Sequence, residues 1–94
     1  MTTVYRALDD ETRRVLLDEL AAKDAQTLFE LCGALAVRHG TSMTRQAVSQ
    51  HLAVLEDAGL VRSERRGRTK VHFFDPSPLA EITRRWPVPR EDTP

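Results

Sequence analysis

Ninety-four residues of zero formal net charge make one domain, large enough for a single core yet small enough that a partner subunit would help to cover it. A single cysteine excludes an internal disulfide, no apolar run approaches the ~18 residues of a membrane span, and no signal-peptide pattern opens the chain, so a cytoplasmic protein is expected. The neutral total hides an uneven spread: residues 1 to 40 carry five Arg or Lys against seven Asp or Glu, whereas residues 62 to 70 carry five against one. A small reader of nucleic acid needs only this, because only the contacting surface has to neutralise phosphates.

In chain order, Thr3 to Leu8 is predicted as a short helix with Val4, Tyr5 and Leu8 on one side. Asp9 or Asp10 opens a second helix that runs to about Ala22, with Thr12, Val15, Leu16, Glu19 and Leu20 at helical spacing. After the break at Lys23-Asp24-Ala25, a third helix carries Leu28, Leu31, Cys32 and Leu35 and stops at Gly40. The fourth, Thr44 to Ala58, is capped by Thr44, buries Val48, Leu52 and Leu55, and ends at Gly59. Its other face holds Gln46, Ser49, Gln50 and Ala53, none of them large and apolar. Such side chains suit a major groove, where Gln pairs with adenine edges and Ser with phosphate or base.

Beyond Leu60 the period changes. Leu60 and Val61, then Val71, Phe73 and Asp75, are predicted as two strands around the tight turn Arg66-Gly67-Arg68. Ser77 is expected to cap a last helix with Pro78 in its first turn and Leu79, Ile82 and Trp86 on one face. The prolines at 87 and 89 end it, and residues 87–94 are expected to form a polar, disordered tail on a domain of residues 1–86. The order α-α-α-α-β-β-α, mainly helical with a β-hairpin, is the winged helix-turn-helix pattern. Thr44, Arg45, Gln46, Ser49 and Gln50 at the leading end of the reader helix, with Arg65, Arg66, Arg68 and Lys70 on the wing, form the expected DNA surface. A winged-helix module that contacts protein instead of DNA uses the same chain order. Salt dependence of binding to random duplex separates the two.

These residues resemble the ArsR/SmtB family of bacterial winged-helix repressors. The resemblance runs from Tyr5 to Trp86 and rests on Arg6-Ala7-Leu8-Asp9-Asp10-Glu11-Thr12-Arg13-Arg14, Gln46-Ala47-Val48-Ser49-Gln50-His51-Leu52, Leu55-Glu56-Asp57-Ala58-Gly59-Leu60-Val61 and the wing segments Gly67-Arg68 and Val71-His72-Phe73. It implies a homodimer joined through the first and last helices and transcriptional regulation at a near-palindromic operator. Val4, Tyr5, Leu8, Leu79, Ile82 and Trp86 are the expected dimer contacts. Metal-sensing members carry two cysteines one residue apart on the supporting helix, where this chain has Leu31-Cys32-Gly33. One thiol is a poor site for a soft metal, so neither metal nor other cofactor is expected; a metal-responsive repressor with a non-cysteine site is the alternative, and the effector, if any, is not written in the sequence.

Cys32, spaced with Leu28, Leu31 and Leu35, reads as a small core residue. His51, beside the Val48 and Leu55 face, reads as a structural histidine, and His72 as pointing from the wing strand toward solvent or DNA. No Gly-rich phosphate loop, nucleophile elbow or apolar carboxylate pair suggests enzymatic chemistry.

Overall fold

The computed structural model describes residues 1–89. Five α-helices and three strands follow the order α1 (Val4–Leu8), α2 (Glu11–Ala22), β1 (Gln26–Thr27), α3 (Leu28–His39), α4 (Arg45–Asp57), β2 (Val61–Arg66), β3 (Thr69–Phe74) and, after a 3-10 turn at Ser77–Leu79, α5 (Ala80–Arg85). The expected tail falls outside the described residues from residue 90 onward.

Side-chain caps set the helix starts. The hydroxyls of Thr3 and Thr44 accept the backbone N–H groups of Arg6 and Ala47, and the Asp10 carboxylate accepts that of Arg13. Thr27 and Glu30 form a reciprocal capping box at the head of α3. At the far end of α4 the N–H groups of Leu60 and Gly59 bond to the carbonyls of Leu55 and Glu56, each at 3.0 Å. That bond pair needs a left-handed residue, which Gly59 supplies at φ 78°.

One core joins the layers. Leu16 and Leu20 of α2, Leu31 and Leu35 of α3, Val48, Leu52 and Leu55 of α4, and Leu60 and Val61 entering the wing are all buried. Leu17, which the second-helix spacing omitted, is buried with them. Glu19 is the charged member of the buried set. Its carboxylate is held by Arg38 and by His39 at 3.4 Å, so a buried charge is paired rather than stranded.

Three expectations change here. Val4 is 5 % exposed and belongs with Ala7 to the subunit's own core, so it is withdrawn from the apolar stripe assigned to a dimer contact. The last helix is not capped by Ser77: the Asp75 carboxylate accepts the Ser77 N–H at 3.0 Å, and Pro76 precedes a 3-10 turn without a side-chain cap. The third concerns β1, two residues that pair antiparallel with β3 and place Gln26 opposite His72. The sheet order is therefore β1-β3-β2, with β3 in the middle. A central strand is covered on more than one side, which is why His72 is buried instead of facing solvent or DNA. Its Nδ1 meets the Gln26 carbonyl at 2.9 Å. Gln26 in turn donates its amide to the carbonyls of Glu19 (3.0 Å) and Lys23 (2.7 Å), satisfying the open end of α2.

Ala25, in the bend before β1, has φ 60°. The left-handed region costs a residue with a Cβ roughly 1–2 kcal/mol, and a glycine there loses about 0.4–1 kcal/mol through its freer unfolded chain. Ala25→Gly is therefore expected to raise stability by on the order of 0.5–1 kcal/mol, a gain of a few degrees in a thermal melt. A lower midpoint would show that the Ala25 methyl contributes packing that outweighs its backbone strain.

Candidate nucleic-acid interface

The buried seam of α4 leaves Gln46, Ser49, Gln50 and Ala53 exposed together, with Thr44 and Arg45 exposed at the leading end. The Thr44 hydroxyl accepts the Ala47 N–H at 3.1 Å and so caps the first turn of α4, whose residues Thr44, Arg45 and Gln46 are exposed. The face is polar and small. It can approach base edges without a large apolar side chain in the way.

The hairpin of β2 and β3 closes with the two-residue turn Gly67-Arg68 between the paired Arg66 and Thr69. Gly67 has φ 63°, and no positive φ falls on Arg68 among the described residues, the pattern of a type II′ turn that needs glycine first. Strand alternation then divides the wing cations between two faces. Arg62 and Arg66 lie over the Phe73 ring at 4.4 and 5.4 Å from its centroid, with Glu64 near both at 4.0 and 3.8 Å. Arg65 pairs across the ladder with Lys70, on the face where Ser63 and Lys70 reach Glu56 of α4. Thus Arg65 and Lys70 sit on the reader's side of the wing and Arg66 on the other.

Between the start of α3, the reader helix and the wing lies a groove of about 480 Å³ whose rim includes Arg45, Ser49, Arg68 and Lys70. Phe29, 64 % exposed, stands at the same groove, a position that the sequence reading passed over because it breaks the α3 apolar spacing. Among the described residues, Arg45, Arg65 and Arg68 have no carboxylate within 4.0 Å, whereas Lys70 is paired with Glu56 (3.7 Å) and Arg66 with Glu64. These pairs join half-exposed groups and are weak, so phosphate can compete for their cations.

Cys32 is half-buried, and burial raises its thiol pKa against the opposing pull of the Arg45 charge. It is protonated at neutral pH and a weak nucleophile. Among the described residues no three His, Cys, Asp or Glu side chains converge as a metal site. Between α1 and the end of α5, the Tyr5 and Trp86 rings meet edge to face at 5.9 Å, and the Arg85 guanidinium lies 4.4 Å from the Trp86 centroid and 5.3 Å from that of Tyr5. Trp86 remains 56 % exposed. Leu79 and Ile82 pack half-buried against the core, so the free apolar surface here centres on Trp86 and its neighbours.

Comparison with known proteins places this geometry. A family model described as a helix-turn-helix domain matches residues 8–64. The HTH-type transcriptional regulator YuzN of Bacillus subtilis is 46% identical over 83 residues, covering 88% of this chain and 90% of that protein. Among solved structures, an ArsR-like transcriptional regulator from Rhodococcus sp. RHA1 superposes with a TM-score of 0.70 at 35% identity, over 87% of this chain and 69% of the other. A second, an ArsR family transcriptional regulator, gives 0.65 at 27% identity over 92% and 89%.

Proposed function

Because the chain belongs to the ArsR family of helix-turn-helix transcriptional regulators, a family of DNA-binding regulators rather than enzymes, we propose that it acts as a homodimeric repressor on a near-palindromic operator. Two copies of α4 enter successive major grooves about 34 Å apart, and the wings flank them. Gln46, Ser49 and Gln50 discriminate bases. Arg45 and Thr44 at the start of α4 and Arg65, Arg66, Arg68 and Lys70 on the wing hold phosphates, with Arg45, Arg65 and Arg68 carrying most because, among the described residues, they have no ion pair to leave. The observation that carries this reading is the polar face of α4, free of bulky apolar side chains and set beside arginines that have no carboxylate partner among the described residues. Among the described residues no helix is long and apolar enough to cross a membrane. The DNA it reads is taken to be cytoplasmic.

The two roles separate in titration. Gln50→Ala is expected to cost about 1–3 kcal/mol at one operator position while random duplex binds as before. Arg68→Ala is expected to weaken all duplexes alike and to reduce the salt slope by about one. The operator comes from selection on random DNA. If Gln46→Ala and Gln50→Ala both kept the wild-type preference, α4 would not be the reader; if no duplex bound at all, the protein-contact module would take its place.

A further inference from the structure

Arg13 ties three helices together away from the DNA surface. Its Nε donates to the Ala7 carbonyl at 2.8 Å and its Nη2 to the Arg6 carbonyl at 3.0 Å, both at the end of α1. Its Nη1 meets His51 Nδ1 of α4 at 3.2 Å, and the Asp10 carboxylate that caps α2 lies at 3.8 Å. The side chain is 14% exposed; its bonds to Ala7 and His51 are partly buried, and the one to Arg6 is open to solvent. A guanidinium only donates, which makes His51 Nδ1 the acceptor and leaves the ring proton on Nε2. Asp10 Oδ1 stands 4.0 Å from the same nitrogen, beyond hydrogen-bond range, and does not compete for it. Burial works to raise the Asp10 pKa, yet the hydrogen bond from the Arg13 backbone N–H and the Arg13 guanidinium hold it below the usual carboxylate value. The acidic side of the junction therefore stays ionised near neutral pH.

What this junction does follows from where it meets α4. Val48, Leu52 and Leu55 hold the reader against the core by apolar contact, which has no direction and leaves rotation about the helix axis loosely defined. Stepping about 100° per residue from Val48, His51 lies about 60° to one side of that seam and Glu56 about 80° to the other. His51 is bonded to Arg13, and Glu56 accepts from the Ser63 hydroxyl of β2. Directional tethers thus stand on both flanks. Side-chain tips lie roughly 6 Å from the axis, so a turn of about 10° displaces Gln46 and Gln50 by about 1 Å. That is twice the roughly 0.5 Å within which a recognition group has to be held.

We propose that Arg13, acting through His51, is a positioning residue that fixes the rotation of the reader helix and thereby its base discrimination. The inference rests on the assignment of α4 as the reader. Neither residue has to touch DNA.

The test uses the full chain and two duplexes, one selected by the wild-type protein from a random pool and one random. His51→Asn keeps an acceptor, Oδ1, near the place of Nδ1, while His51→Leu keeps bulk and removes the acceptor. The wild type and His51→Asn are expected to share the same ratio of selected to random affinity within about twofold. His51→Leu is expected to lose about tenfold of that ratio, the worth of one good base contact, with random-duplex affinity and salt slope unchanged. A merely structural role would lower both affinities together and would not be rescued by asparagine. Arg13→Lys, whose single ammonium cannot hold carbonyls and imidazole in one fork, is expected to behave as His51→Leu and serves where that variant does not fold. Retention of the ratio by His51→Leu, or its equal loss in His51→Asn, overturns the proposal. Should Gln50→Ala change the preference while His51→Leu does not, the reader stands and the positioning role falls; should neither change it, both fall.

Discussion

Trp86→Ala is expected to turn the proposed dimer into monomers at micromolar concentration while leaving the subunit folded. The side chain is 56 % exposed and lies outside the buried leucine core, so its loss removes little that the single subunit depends on. With Tyr5 and Arg85 it forms a rigid aromatic and cationic patch, the composition that dominates binding energy at protein interfaces. Loss of such a tryptophan costs about 3–5 kcal/mol, roughly a few hundred- to a few thousand-fold in the dissociation constant. Affinity for a two-half-site duplex should fall with it, since linked readers gain from effective concentration that separate monomers lack. Sedimentation equilibrium beside a thermal melt checks this. A variant that remains dimeric with full operator affinity would place the interface elsewhere.

Leu55→Ala is expected to produce the opposite pattern, a global loss of stability. Leu55 is fully buried, belongs to the seam of α4, and lends its carbonyl to the bond from Leu60 that ends the helix. Removing three carbons from such a site costs about 2–5 kcal/mol, out of a total that for domains of this kind is roughly 5–15 kcal/mol. Urea denaturation should show an earlier midpoint with an unchanged slope. A shift of under about 1 kcal/mol would mean that the surrounding leucines collapse into the space. Where Trp86→Ala spares the subunit and removes its partner, Leu55→Ala weakens the subunit itself, and the two variants together separate folding from assembly.

The helices were legible because their signals are local. Thr44 caps α4 as expected, Asp10 is the one of the two expected residues that caps α2, and the spacing of Val48, Leu52 and Leu55 marks the buried side of α4 without reference to any other segment. The two-residue strand β1 had no such signal. Gln26 and Thr27 carry no apolar pattern, and their pairing depends on His72 and Val71, far along the chain. The same long-range pairing misdirected His72, whose burial cannot be inferred from the alternation of β3 alone. Helical spacing puts Val4 on one face with Tyr5 and Leu8, but spacing shows only which side chains share a face, and packing shows that Val4 meets the core. The candidate DNA surface was legible as charge and helix face, yet the division of wing cations into a reader side and a Phe73 side depended on register. The Arg13 junction was invisible, since it joins residues from three helices through backbone carbonyls.

The sheet order gives the wing a second property. In the arrangement β1-β3-β2 the outer strands are β1, two residues long, and β2, six residues long, and the free side of β2 offers unpaired backbone groups to any other extended chain. Val61 opens that strand and is buried, but Arg62, Glu64, Arg65 and Arg66 follow it, so the exposed margin is a row of charges. Charge along an open margin opposes the edge-to-edge pairing of another strand with it and with that the growth of aggregates. The arginines that would face phosphate in the bound protein therefore keep the unbound protein dispersed. Variants that neutralise the wing remove both properties together, so a loss of DNA binding in such a variant has to be read beside its state of aggregation.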